Sequence, residues 1–126
     1  MFEPYLVRWN LVPDGVPTVT PYSRLLPVRR AGRPAMLKIA TAEEERRGAQ
    51  VMAWWCGDGA ARVLAHEGGA LLMERATGGR ALAAMARGGQ DDEASRAICG
   101  VAARLHTRRD PPPRGLVPLP RWFRAL

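Results

Sequence analysis

Short apolar runs alternate with turn residues over residues 1–40, a pattern typical of β-strands. The connections are short and contain proline, glycine or paired arginines, as in Pro13-Asp14-Gly15. Strands joined in this way become antiparallel neighbours in a sheet. The pattern therefore predicts an antiparallel meander with strands at residues 7–12, 16–19, 25–28 and 35–39.

From residue 42 the pattern changes to helical spacing, with three consecutive glutamates at 43–45 followed by small and apolar residues. Acidic residues in a first turn are favoured by the helix dipole, so a helix is predicted to begin here and to end near Trp55. Two more strands are predicted at 61–65 and 70–74. This part of the chain is then expected to hold about five strands and one helix.

Two further helices are predicted after the glycine pair at 78–79, one at 81–87 and one that starts at Asp91. The second helix has a continuous apolar face, which must pack against another surface. Prolines at 111–113 end the helical pattern, because proline cannot continue a helix. The apolar face consists of Ala94, Ala97, Ile98, Val101, Ala102 and Leu105.

The last residues, 121–126, look like the first turns of another amphipathic helix. Trp122, Phe123 and Leu126 would lie on one side of it. Large apolar residues at a terminus predict either that a longer protein has been cut here or that a partner covers this surface.

Composition narrows the class of protein. With 47% hydrophobic and 25% charged residues, a chain of 126 residues is expected to fold as a globular unit around one core. The formal net charge of +7 favours anionic partners such as nucleotides. Nucleic acid is not an expected partner, because the arginines are scattered and no aromatic residues are interleaved with them.

Membrane and metal binding are not expected either. No apolar run approaches the roughly 18 residues that span a bilayer. Cys56 and Cys99 lack a C-x-x-C partner and no secretory signal is present, which argues against a disulfide framework or a zinc site. The resulting expectation is a soluble, cytoplasmic protein without a metal ligand set.

Lys38 stands out because it is the one lysine beside 18 arginines, and it lies in an apolar strand. A compact ammonium can reach phosphate oxygens from a narrow strand, where a guanidinium fits less well. The alternative is a solvated strand residue that points away from the sheet.

An inward-facing cation needs a partner that offsets its desolvation, and the following helix offers three glutamates. Glu45 shares its side with Gly48, Ala49 and Met52, which favours it as the residue that faces the sheet, whereas Glu43 shares a side with polar residues. The alternative is that all three acids are ordinary first-turn residues that serve the helix dipole.

Strand, lysine, helix, glutamate and two more strands is the element order of the small lobe of kinase-like folds. The chain also contains the segments PAMLK (34–38), ERRGA (45–49), WW (54–55), GDGAARV (57–63), ALLMERA (70–76), GQDDEA (89–94), AARLH (102–106) and LPRWF (119–123). Together these segments closely resemble the aminoglycoside phosphotransferases of the streptomycin 6-kinase type, also called aminoglycoside and hydroxyurea resistance kinases. The resemblance covers nearly the whole chain.

The resemblance implies an α+β chain with two parts. Residues 1–76 correspond to a nucleotide-binding, kinase-like amino-terminal lobe with about five antiparallel strands and one packed helix. Residues 77–126 correspond to the hinge and the first helices of a truncated second lobe. It also implies that Lys38 contacts the phosphates of ATP and that Glu45 holds this lysine in place.

The resemblance further implies an adenine site at the hinge between the lobes. Main-chain groups of Glu74 and Ala76 would bind the adenine edge, and Met73 would line the pocket. Ser23, in the segment that matches the loop over the phosphates, would contact a phosphate. The alternative for 73–76 is an edge strand that leads into a glycine loop, in which these side chains have no function.

The resemblance also shows what this chain does not contain. Kinases of this family use a segment H-G-D-x-x-x-x-N, whose aspartate accepts the substrate proton and whose asparagine binds the metal. No such segment occurs in the 126 residues. In the intact enzyme ATP with Mg²⁺ would phosphorylate an aminoglycoside held by the missing lobe, and the chain alone is expected to be inactive.

Two other functions stay open. The first is a non-catalytic module that binds nucleotide weakly or pairs with itself through the apolar faces around Ile98 and Trp122. The second is a basic nucleic-acid binder. His106, which follows an apolar helix, is interpreted as a packing or capping residue of that helix and not as a catalytic base.

Overall fold

The computed structural model describes residues 1–124. Its centre is a six-stranded sheet in which all neighbouring strands are antiparallel. The strands are β1 (Val12–Pro13), β2 (Thr18–Val19), β3 (Ser23–Arg30), β4 (Arg33–Ala40), β5 (Val63–Glu67) and β6 (Ala70–Glu74). The helices are α1 (Glu3–Arg8), α2 (Glu43–Trp55), α3 (Leu82–Arg87), α4 (Asp91–Leu105) and α5 (Leu119–Trp122).

The strand order is β1-β3-β4-β6-β5, and β2 pairs with the same strand as β1. The α+β class is confirmed, with six strands in place of about five because residues 12–19 contribute two strands of two residues each. The long hairpin of β3 and β4 forms the middle of the sheet, with eight residues in each strand. Lys38 lies in this central hairpin, opposite Leu25 on one side and Leu71 on the other.

The strand predicted at 7–12 is wrong, because helix α1 occupies Glu3–Arg8 and the first strand begins only at Val12. The helix has a proline in its first turn, an acid at its start and a base at its end, which are all helix-terminus signals. Its apolar residues recur at intervals of three and four and pack against the sheet. They are Phe2, Tyr5, Leu6 and Trp9.

One face of the sheet carries the core under α1. Side chains alternate between the two faces of a strand, so Ala35 and Leu37 of β4 point to the same side. Leu37 is fully buried between Leu26 and Leu72 of the neighbouring strands. Helix α1 therefore packs on this face of the sheet. Lys38 lies on the opposite face, against which another helix packs.

Helix α2 packs against β4, β5 and β6, and the predicted bounds of this helix are confirmed. Its buried residue is Ala49, on the same side as Glu45. The helix ends at Trp55, and the next residue, Cys56, adopts a left-handed conformation with φ of 53° and is followed by Gly57 with φ of 78°. Two successive positive φ angles reverse the chain and lead it back toward β5.

Helices α3 and α4 pack against each other, and the predicted start of α4 at Asp91 is confirmed. Of the predicted apolar face of α4, Ala94 is buried, whereas Ile98 and Val101 are 54% and 45% exposed. Within residues 1–124, these two side chains are therefore only about half covered.

Helix α5 begins two residues before the helix predicted at 121–126. Trp122 and Phe123 are about half exposed, and Leu126 lies outside the described residues. Over the described part of the chain, none of the helices is long and apolar enough to cross a membrane.

Candidate functional site

Lys38 and Glu45 meet on the α2 face of the sheet. The ammonium Nζ of Lys38 forms an ion pair with Oε2 of Glu45, and both side chains are about 30% exposed (29% and 31%). Glu43 instead lies on the outer side of the helix and approaches Arg47 at 3.8 Å. The predicted orientation of the two glutamates is therefore confirmed, and the Glu45 carboxylate offsets part of the cost of partly burying the lysine charge.

The ion pair lines a cavity of about 320 Å³ between α2 and the sheet. Ala40, Gly69 and Leu71 form the sheet side of this cavity, and small or apolar residues of α2 form the other side. The cavity is open to solvent, and among the described residues Lys38 is the one basic residue that lines it. The cavity is therefore mostly apolar, and the ammonium that lines it is oriented by a carboxylate. Such a cavity is suited to bind an anionic group.

Ser23 begins β3 opposite Ala40, on the same face as Lys38. It is 4% exposed, and its hydroxyl lies 3.0 Å from the hydroxyl of Thr20. The N–H of Ser23 also donates to Thr20 Oγ1 at 2.9 Å. These bonds close the turn that precedes β3, and Ser23 does not line the Lys38 cavity. A phosphate contact by Ser23 stays a prediction.

Met73 and Glu74 end β6. Met73 is half-buried opposite Met36, two residues along the strand from Leu71, and so lies on the Lys38 face. Glu74 makes two bonds with Arg62: its N–H donates to the Arg62 carbonyl at 2.9 Å, and its Oε1 accepts from the Arg62 N–H at 2.8 Å. The register of β5 against β6 shifts between Val63 and Ala65. Beyond this shift, the Glu74 side chain accepts the hydrogen bond from the Arg62 N–H and so continues the pairing of the two strands.

Glu74 and Ala76 line a second cavity, of about 430 Å³, with the segment 59–61 and Val101. The predicted site residues thus fall into separate groups. Lys38 and Glu45 share one cavity, Glu74 and Ala76 share another, and Ser23 is bonded to the turn that precedes β3. The structure leaves the predicted roles of all six residues as predictions.

A cluster around Asp58 joins the end of α2 to the end of α4, and the sequence had no local signal for it. The carboxylate of Asp58 accepts hydrogen bonds from Arg104 at 2.8 Å and from Arg109 at 2.9 Å. Both bonds lower the pKa of Asp58, and the bond from Arg104 has the larger effect. The indole N–H of Trp54 donates to the carbonyl of Pro111, beyond α4, at 2.6 Å. The indole N–H of Trp55 donates to the carbonyl of Leu105, at the end of α4, at 3.3 Å.

A second cluster lies at the end of β6. Asp14, in the turn after β1, pairs with Arg75 at 2.6 Å and with Arg29 at 3.2 Å. The hydrogen bond from Arg75 is the main reason that the pKa of Asp14 is lowered. Asp14 and Arg75 are 61 residues apart in the chain, so the pairing is visible only in the folded structure.

His106 is the C-cap residue of α4, and its main-chain N–H donates to the carbonyl of Ala102 at 2.9 Å. It lies at the helix end, as predicted.

Comparison with known proteins finds one matching family model and two similar curated proteins. The family model described as aminoglycoside/hydroxyurea antibiotic resistance kinase matches residues 8–126. Streptomycin 3''-kinase of Klebsiella pneumoniae is 52% identical over 119 residues, which are 94% of this chain and 45% of that protein. Streptomycin 6-kinase of Streptomyces griseus is 40% identical over 109 residues, 83% of this chain and 34% of that protein. The chain thus spans less than half the length of these relatives. No solved structure matches it.

Proposed function

Because the chain belongs to the aminoglycoside/hydroxyurea antibiotic resistance kinase family, we propose that it is the ATP-binding part of an enzyme that phosphorylates a streptomycin-like aminoglycoside. The phosphoryl group would pass from ATP to a hydroxyl group of the antibiotic and so confer resistance. We place this reaction in the cytoplasm, where ATP is available.

The observation that carries the proposal is the Lys38–Glu45 ion pair at the open cavity. An ammonium binds phosphate oxygens as a point charge, and its position decides how well it does so. Glu45 restricts the flexible lysine side chain before the nucleotide arrives, which lowers the entropic cost of binding. The pair therefore supports Lys38 as the phosphate contact and Glu45 as the residue that positions it.

The adenine part of the proposal uses the end of β6. The main chain of Glu74 and Ala76 would bind the adenine edge, Met73 would line its pocket on the Lys38 face, and Ser23 would lie at the turn near the phosphates. Bonds from main-chain groups give specificity for the base without demanding particular side chains. The Glu74 side chain supports this arrangement through its bond to Arg62.

Magnesium is the expected companion of ATP in this family. Among residues 1–124, no group of three His, Cys, Asp or Glu side chains could hold a metal ion. These residues do not fit a magnesium site, and no role for magnesium is assigned to them.

Replacing Lys38 by alanine is expected to weaken ATP binding about tenfold, because a charge-assisted contact to phosphate is lost. Isothermal titration calorimetry with ATP in a magnesium-containing buffer measures this. Arg33→Ala is the matched control, since it removes one positive charge from an exposed position of the same strand. Equal affinities of the wild-type and Lys38→Ala chains would contradict the proposal.

The 126-residue chain alone is expected to transfer no phosphate to streptomycin, because it has no H-G-D-x-x-x-x-N segment to supply a base and a metal ligand. Incubation with γ-labelled ATP and streptomycin tests this, with the Klebsiella pneumoniae streptomycin 3''-kinase as positive control. Labelled streptomycin above background would show that the missing segment is dispensable.

A second candidate function is a non-catalytic module that associates with itself. The exposure of Ile98, Val101, Trp122 and Phe123 favours it. Sedimentation velocity separates the two candidates, because self-association makes the sedimentation coefficient rise with protein concentration whereas ATP binding alone does not.

A further inference from the structure

The turn after β1 and the end of β6 lie at the same end of the sheet. Pro13 pairs with Val28, Val28 with Ala35, and Ala35 with Glu74, which forms one row across four strands. Asp14 and Arg75 each follow one end of that row. The N–H of Asp14 donates to the carbonyl of Pro27 at 2.8 Å, so the turn is fixed to β3 at this point.

Arg75 lies in the predicted hinge, and its side chain is held by an ion pair with Asp14. It is 17% exposed and donates to Asp14 Oδ2 at 2.6 Å. Its Nε is buried and has no hydrogen-bond partner among the described residues, so the guanidinium is held through its terminal nitrogen, which donates to Asp14. Arg29 approaches the same oxygen at 3.2 Å and holds the carboxylate toward the sheet.

We propose that Asp14 is a positioning residue for the nucleotide, which holds Arg75 and thereby the main-chain groups of Glu74 and Ala76 in the conformation that reads adenine. This inference rests on the proposed function. Arg75 lies between the two residues proposed to bind the base, so anchoring its side chain limits the motion of both. Without the anchor, the segment must be ordered when ATP binds, and affinity falls by that ordering cost.

The test compares Asp14→Asn, Arg75→Gln and the double variant in the full chain. Calorimetry measures the dissociation constants of ATP and of inosine triphosphate, which lacks the exocyclic amine of adenine. Each single variant is expected to weaken ATP binding roughly fivefold, as for loss of a partly exposed ion pair, and the double variant no further. The preference for ATP over inosine triphosphate is expected to shrink, because the main-chain groups no longer read the base.

Glu67→Gln is the control. It removes the ion pair between Glu67 and Arg8, which joins α1 to β5 away from the hinge. It is expected to leave both dissociation constants unchanged. Thermal unfolding of each variant checks folding, and Arg75→Gln tests the inference by itself if Asp14→Asn does not fold.

The outcomes separate the two proposals. If the wild-type chain binds ATP and Asp14→Asn binds it equally well, the positioning role is overturned and the proposed function stands. If the variant binds both nucleotides more weakly by the same factor, Asp14 serves only the stability of the fold, and the inference also fails. If the wild-type chain binds no ATP, the proposed function fails and this inference with it.

Discussion

Leu37→Ala is expected to lower the free energy of unfolding by about 3 kcal/mol, the largest single-residue effect on stability that we predict. Leu37 is fully buried in the middle of β4, between Leu26 and Leu72, and faces the side chains of α1. Neighbours on both strands and on the helix limit how far the core can collapse into the space left by the missing atoms. The free-energy cost of the lost apolar burial and the cost of the remaining cavity therefore add.

Urea denaturation followed by circular dichroism measures this change. Leu64→Ala is the matched control, since it removes the same atoms from a strand position that is 41% exposed. That variant is expected to lose less than about 1 kcal/mol. Similar losses in the two variants would mean that the α1 face is not the main core of this chain.

Arg109→Ala is expected to release the end of α4 from the end of α2 and to lower the free energy of unfolding by about 2 kcal/mol. The Arg109 side chain is 16% exposed. Its guanidinium lies 5.8 Å from the ring centre of Trp54 and donates to the carbonyls of Leu105, Thr107, Arg104 and Asp58 and to the Asp58 carboxylate.

Removal of Arg109 breaks five hydrogen bonds at once, and the predicted loss comes from this number because most of the acceptors are exposed. Amide hydrogen exchange in the last turn of α4 is therefore expected to accelerate at least about tenfold, since local opening exposes it. Arg108→Ala is the control, because Arg108 is the neighbouring residue, is 89% exposed and pairs only with Asp110 at 3.3 Å among the described residues. Equal acceleration by the two variants would refute the role of Arg109.

Most of the secondary structure could be predicted because its signals are local. The glutamates at 43–45 and the small, apolar side that follows specify α2, and the apolar run 70–74 coincides with β6. Helix α1 is not predicted, because its last residues, Val7 and Arg8, overlap the predicted strand 7–12 and a helix of six residues gives a weak periodic signal. Its helical form depends on the packing of Tyr5 and Trp9 against the sheet.

Part of the candidate site was also accessible from sequence. Lys38 is conspicuous as the one lysine, and the helical spacing selects Glu45 as the glutamate that faces the sheet. Both inferences depend on periodicity, which sets the direction of a side chain within one element. The bond between Glu74 and Arg62 could not be inferred, because it depends on the register shift between two strands.

The sequence by itself determined the α+β class, most of the elements and the family, because propensity, periodicity and short motifs are properties of neighbouring residues. Only the tertiary structure decided which charges meet. Asp14 and Arg75 are 61 residues apart, and Asp58 and Arg109 are 51 apart. Arginine is abundant in this chain, so composition offers many equivalent partners for each aspartate. The sheet order brings Asp14 to Arg75, and the turn after α2 brings Asp58 to Arg109. The packing of the whole chain therefore selects these partners.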